Sequence, residues 1–89
     1  MNVYQMNEDE WWIGESLQAC IEDYIEYSGD PEYIQDAGEL DESELSSFIF
    51  FTDEKDENDE WIKRTFKEQL AIEIANGGEF PRMFAMREC

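Results

Sequence analysis

The residues of this chain that can do chemistry are carboxylates and little else. Its 89 residues hold 24 Asp and Glu against 6 Lys and Arg, with no histidine, for a formal net charge of −18. Without imidazole the commonest general base near neutral pH is missing, and no serine or cysteine has a partner to activate it. A glycosidase-type acid pair needs one raised pKa in a shaped cleft. Where acids are this abundant, a pair of them carries no signal. The chain is expected not to be an enzyme.

Metal chemistry fares no better. An EF-hand loop needs oxygen ligands at its first, third and fifth positions and glycine at its sixth. Counted from Asp53, the third and sixth positions are Lys55 and Asn58; counted from Asp30, the fifth and sixth are Ile34 and Gln35. Neither fits. Cys20 and Cys89 are too few for a disulfide framework and have no zinc spacing. Gly77–Gly78 stands where a helix ends rather than begins, so it is no phosphate cradle. Neither a metal nor another cofactor is expected.

Collectively, carboxylates can imitate a polyanion. Glu22 and Glu26, one helical turn apart, place their Cβ atoms about 5–6 Å from each other, and same-face residues of a strand repeat at about 6.6 Å. Both spacings are similar to the step between phosphates along a nucleic-acid strand. Residues 1–54 contain 16 acids and no base, whereas residues 55–89 contain the other 8 acids and all six bases, Lys55, Lys63, Arg64, Lys67, Arg82 and Arg87. An acidic helix face is ordinarily a solvated face, but so long a base-free stretch points to a basic partner. The candidate partner-binding residues are Glu15, Glu22, Asp23, Glu26, Asp30, Glu32, Asp36, Glu39, Asp41, Glu42 and Glu44. Direct nucleic-acid binding is disfavoured, because phosphate contacts need Lys and Arg. A basic protein or ribonucleoprotein complex is the expected partner; monomer and dimer remain open.

These acids must be held by a folded body. "NVYQM" and "EWWIGE" read as two short strands about a turn at residues 7–9. Leu17, Cys20, Ile21, Tyr24 and Ile25 recur at helical spacing after a Ser16 cap and stop at Ser28–Gly29–Asp30–Pro31. The opposite face of that helix carries Glu15, Glu22, Asp23 and Glu26. Residues 30–46 are acidic and broken by Pro31 and Gly38, with Tyr33, Ile34 and Leu40 as pins and short helical turns at 31–36 and 41–46. "SFIFFT" reads as a central strand, 53–60 as a solvated connection and "WIKR" as a partner strand. Thr65–Phe66–Lys67–Glu68 is a capping box opening a second helix with a Phe66/Leu70/Ile74 stripe, ended by Asn76–Gly77–Gly78. "RMFAMRE", residues 82–88, closes the chain as a last strand. The expected fold is α+β, a single small domain over residues 1–89. It has an antiparallel sheet of about 4–5 short strands and two main amphipathic helices, in the order β-β-α-(loop)-β-β-α-β.

Strand alternation divides Trp11 and Trp12 between two faces. One indole is expected under the Leu17/Ile21 helix and the other on the sheet's second face, with Gly14 leaving room for a ring or a bend. "FIFF" and Trp61 are expected in the core. The segment "MNVYQMNEDE" has neither a basic region nor an apolar run, so no signal peptide or membrane span is expected and a cytoplasmic protein is.

"DEWWIGESLQACIEDYIEYSG" (9–29) and "RTFKEQLAIEIANGGEFPRMFAMRE" (64–88) together resemble small uncharacterised proteins of bacterial phages and prophages. Glu15–Ser16, Tyr24, Gly29, Thr65–Phe66, Pro81 and Met83–Phe84–Ala85 carry the likeness, while Ala19–Cys20 departs from it. The resemblance implies a phage origin and a host bacterial cytoplasm. Small acidic phage proteins of this type are similar to nucleic-acid mimics, including anti-CRISPR and anti-restriction proteins. The resulting expectation is a stoichiometric inhibitor of a host defence complex that presents carboxylates to a basic groove. Two alternatives share the chain: an inhibitor or adaptor docking through an apolar patch built from one tryptophan with Tyr4 or Phe84, and an immunity-type protein neutralising a basic toxin or nuclease.

Overall fold

The computed structural model describes residues 1–87, with only the backbone of Asp53. Glu88, expected in the last strand, and Cys89 lie outside the described residues. The chain forms β1 (Asn2–Asn7), β2 (Glu10–Gly14), α1 (Leu17–Ser28), a 3-10 turn (Pro31–Tyr33), β3 (Gly38–Glu39), α2 (Glu42–Ser47), β4 (Ile49–Lys55), β5 (Trp61–Thr65), α3 (Phe66–Asn76) and β6 (Arg82–Met86). This is the α+β order read from the sequence, with the loop resolved into a turn, a two-residue strand and α2. All pairings are antiparallel, but the strands divide between a four-stranded sheet, β3-β1-β2-β6, and a two-stranded ladder, β4-β5. The two sheets belong to two compact units, one made of Met1–Leu40 and the chain from Gly77 onward, the other of Asp41–Asn76.

The first unit is organised around one indole. In the β1–β2 hairpin Tyr4 lies opposite Trp12, and Asp9 N–H donates to Asn7 Oδ1 at 2.9 Å to close the turn. Tyr4, Met6, Trp12, Cys20 and Tyr24 form a buried cluster, with Leu17, Ile21, Ile34 and Met83 packed on it. Trp12 therefore lies under α1, as alternation requires, and meets Tyr24 edge to face at 4.9 Å and 82°. Trp11 is buried as well, on the opposite face with Val3, Ile13 and Phe84. In the β2–β6 pairing Ala85 lies opposite Trp11 and Met83 opposite Trp12, so the extra residue of the register shift, Phe84, lies in β6.

α1 begins where Ser16 Oγ accepts from Ala19 N–H at 3.1 Å. It ends at Gly29, whose φ of 76° turns the chain left-handed while its N–H donates to Ile25 O. Gly14 has a different task from the one expected. A Cβ there would stand 2.6 Å from Cys20 Sγ and 3.0 Å from Pro81 Cβ, so its bare backbone makes room for the helix and for Pro81 rather than for a ring.

The second unit packs α2 and α3 with the ladder. Asp41 and Glu44 cap α2 reciprocally, and Thr65 and Glu68 do the same for α3. Phe66 is buried and meets Phe48 at 5.5 Å and Phe50 at 6.4 Å. Two expectations are corrected here. "FIFF" is not wholly core: Phe48 and Phe50 face Phe66, but Ile49 and Phe51 are exposed, as is Trp61. An all-apolar run shows no alternation, so its outward face cannot be read from residue type. The α3 stripe is also shorter than Phe66/Leu70/Ile74, because Ile74 is exposed, while Gln69 is buried and bonded to Arg64 and Glu73.

Two outcomes follow from the first unit's core. Gly14→Ala is expected to lower unfolding free energy by about 1–3 kcal/mol, the usual cost of overpacking, measured by urea denaturation. Alkaline pH acts on the same cluster. Burial, with a smaller contribution from Asp23, raises the Cys20 thiol from 9.0 to about 11. Burial, reinforced by the hydrogen bond to Glu10, raises Tyr24 from 10.0 to about 12. Both groups ionise earlier in the unfolded chain, so their stabilisation is complete below pH 9 and is lost as pH rises toward 12. The urea midpoint is expected to fall progressively above pH 9; a flat profile there would contradict the assignment.

Candidate functional site

The eleven candidate carboxylates do not form one uniform set. Glu15, Glu22, Asp23, Glu26, Asp30, Glu32, Asp36 and Glu39 belong to the first unit, and Asp41, Glu42 and Glu44 to the second. Six of them are tied into the fold or its ion pairs. Asp23 is half-buried, and its Oδ2 accepts the Trp12 indole N–H at 2.7 Å. Asp30 caps the 3-10 turn by accepting from Glu32 N–H at 2.8 Å. Glu39, at the sheet edge, accepts from Asn2 Nδ2 at 2.9 Å. Asp41 and Glu44 are the α2 capping box, and Glu42 forms an ion pair with Lys67.

Glu15, Glu22, Glu26, Glu32 and Asp36 are all exposed, and among the described residues none forms an ion pair. Glu22 accepts only from Gln18, one turn earlier, at 3.1 Å. Glu15 precedes the α1 cap, where the helix dipole favours negative charge. These five are the candidate acids that the first unit leaves available to a partner, and Glu8 and Glu79 of the same unit are exposed as well. α1 fixes Glu22 and Glu26 in place through its two caps and its buried stripe.

Two aromatic side chains accompany them: Tyr27, which the sequence reading missed, and Tyr33, expected to pin its segment to the body but 58% exposed. Tyr27, beside Glu26, is 60% exposed while its ring lies 5.3 Å from Trp12. Tyr33, beside Glu32, is also exposed. A signal existed for Tyr27: three residues after Tyr24 and seven after Cys20, it continues the edge of the buried stripe into the last turn of α1. Exposed tyrosines among charges suit a protein-binding surface, supplying rigid area with a polar tip. The expected apolar patch of a tryptophan with Tyr4 or Phe84 is not formed, because Tyr4, Trp11, Trp12 and Phe84 are all buried. Glu10 is another acid that the reading passed over: it accepts from the Tyr24 hydroxyl at 2.7 Å and from Asn7 Nδ2 at 3.1 Å.

A shallow cavity of about 370 Å³ in the same unit is lined by Glu15, Ala19, Gly78, Phe80 and Pro81. Arg82 braces its loop, donating to Gly77 O at 3.1 Å and lying 4.4 Å from the Phe80 ring centre. Among the described residues no three acids or thiols converge as a metal site, and no helix is long and apolar enough to cross a membrane. The chain matches no protein-family model, no curated protein and no solved structure.

The division of the acids can be measured. Asp23→Ala is expected to cost about 1–3 kcal/mol, the penalty for leaving a buried donor without its acceptor. Glu22→Ala and Glu26→Ala are each expected to stay within about 0.5 kcal/mol of the parent. Urea denaturation of the three variants checks this, and equal losses would overturn the distinction.

Proposed function

We propose that this chain is a phage-encoded stoichiometric inhibitor of the anti-CRISPR type. It binds a basic, nucleic-acid-binding surface of a host defence complex by presenting carboxylates in place of phosphates. The observation that carries this reading is the set Glu15, Glu22, Glu26, Glu32 and Asp36, exposed and, among the described residues, without ion pairs, on a unit of strongly negative charge. Residues 1–40 of that unit contain 11 acids and no base. Mimicry requires a rigid array, and the capped α1 helix, anchored through Trp12, supplies rigidity to the part of the array it carries. Tyr27 and Tyr33 add contact area that a solvated acidic face would not need.

The test is competition. The purified protein is expected to displace target DNA from a CRISPR effector complex, with affinity falling as NaCl rises, because exposed charges are screened beyond a Debye length of about 8 Å at 0.15 M. Glu15→Lys, Glu22→Lys and Glu26→Lys combined are expected to weaken binding by about 100-fold or more, at roughly 1 kcal/mol or more per reversed contact. Asp23 is left intact so that far-UV circular dichroism and the melting temperature stay unchanged. Full inhibition by the triple variant would remove this surface from the reading.

A further inference from the structure

Tyr27 is held but not covered. Its ring centre lies 5.3 Å from that of Trp12 and 6.4 Å from that of Tyr24, yet the residue is 60% exposed. The same Trp12 donates its indole N–H to Asp23 Oδ2 at 2.7 Å. Asp23 precedes Tyr27 by four residues, so the two side chains are neighbours on α1. One indole thus fixes an exposed ring and a carboxylate side by side. Among the described residues Asp23 Oδ1 has no donor. Tyr27 also stands in the last turn of α1, where the helix dipole is negative and no base is present.

Four of the six bases of the chain stand over aromatic rings: Arg87 over Trp11, Lys63 over Phe51, Lys55 over Trp61 and Arg82 over Phe80. The other two, Arg64 and Lys67, pair with Glu54 and Glu42. Among the described residues no base of the chain stands over Tyr27. We infer that Tyr27 and Asp23 form a seat for one arginine side chain of a basic protein partner. The inference rests on the reading above that such a surface is the partner, and it names the side chain that is recognised. A guanidinium is planar and weakly hydrated, so it can lie flat on the ring while the N–H groups at its edge reach Asp23 Oδ1. A lysine ammonium is a strongly hydrated point charge and gains less from the ring. The seat therefore selects arginine over lysine. Because Trp12 holds both parts in place beforehand, little side-chain freedom is lost on binding, as suits an anchoring contact.

Isothermal titration calorimetry of the full chain with hexa-arginine amide and with hexa-lysine amide, at about 0.15 M NaCl, tests this. The parent is expected to bind hexa-arginine about 3–10-fold more tightly, the worth of a cation–π contact at a partly exposed ring. Tyr27→Leu, which keeps an apolar side chain against Trp12, is expected to remove that preference with circular dichroism unchanged. Tyr27→Phe, which keeps the ring, is expected to retain it. In the parent, nuclear Overhauser contacts are expected between the arginine δ-methylene protons and the Tyr27 ring. Equal affinities for the two peptides overturn the proposal, as does a preference that survives Tyr27→Leu or is lost in Tyr27→Phe. So does the absence of those contacts in the saturated parent. A Tyr27-dependent arginine preference in a protein that fails to displace target DNA from CRISPR effector complexes would refute the anti-CRISPR reading and leave the seat standing. Displacement that proceeds without any arginine preference would overturn the seat alone.

Discussion

The indole of Trp12 is the contact on which the first unit depends. Its ring closes the space between sheet and helix against Tyr24, and its N–H finds Asp23 at 2.7 Å. A buried indole donor without an acceptor would be costly, and so would a half-buried carboxylate without a donor. Each solves the other's problem. The bond also fixes the rotation of α1 about its own axis, and with it the direction in which Glu22 and Glu26 project.

A chain with 24 acids and so few bases cannot neutralise its charge by ion pairs. It satisfies many carboxylates with N–H and O–H donors instead. Asp30 and Asp41 accept from backbone N–H groups at helix starts, Glu10 accepts from Tyr24 and Asn7, and Asp23 accepts from Trp12. The Thr65 N–H and hydroxyl hold the Glu68 carboxyl below the usual range. Charge-assisted bonds of this kind keep the carboxylate ionised without cancelling its field. The fold thereby retains the negative potential on which a phosphate-like surface depends.

Local signals in the sequence were enough to place the hairpin, both long helices and three caps, because each rests on residues within one turn of each other. Splitting Trp11 from Trp12 needed only strand alternation. What required three dimensions was the difference in role between adjacent acids. Asp23 lies three residues after Cys20 and borders the buried stripe, a spacing that distinguishes it from Glu22, but residue type alone does not. Gly14 was legible as a special position, whereas the neighbours it accommodates come from α1 and from Pro81, far along the chain. The outward face of "FIFF" was hidden because an unbroken apolar run suits a covered strand and a half-covered one equally.

The three tryptophans occupy contrasting surroundings: Trp11 and Trp12 are enclosed in the first unit, and Trp61 is open in the second. The chain therefore carries its own optical labels. A neutral collisional quencher such as acrylamide reaches Trp61 first, so the quenchable share of the emission reports on the ladder. The shielded share reports on the hairpin beneath α1. Iodide is a poorer choice, since the anion is repelled by the field of the chain before it reaches any ring.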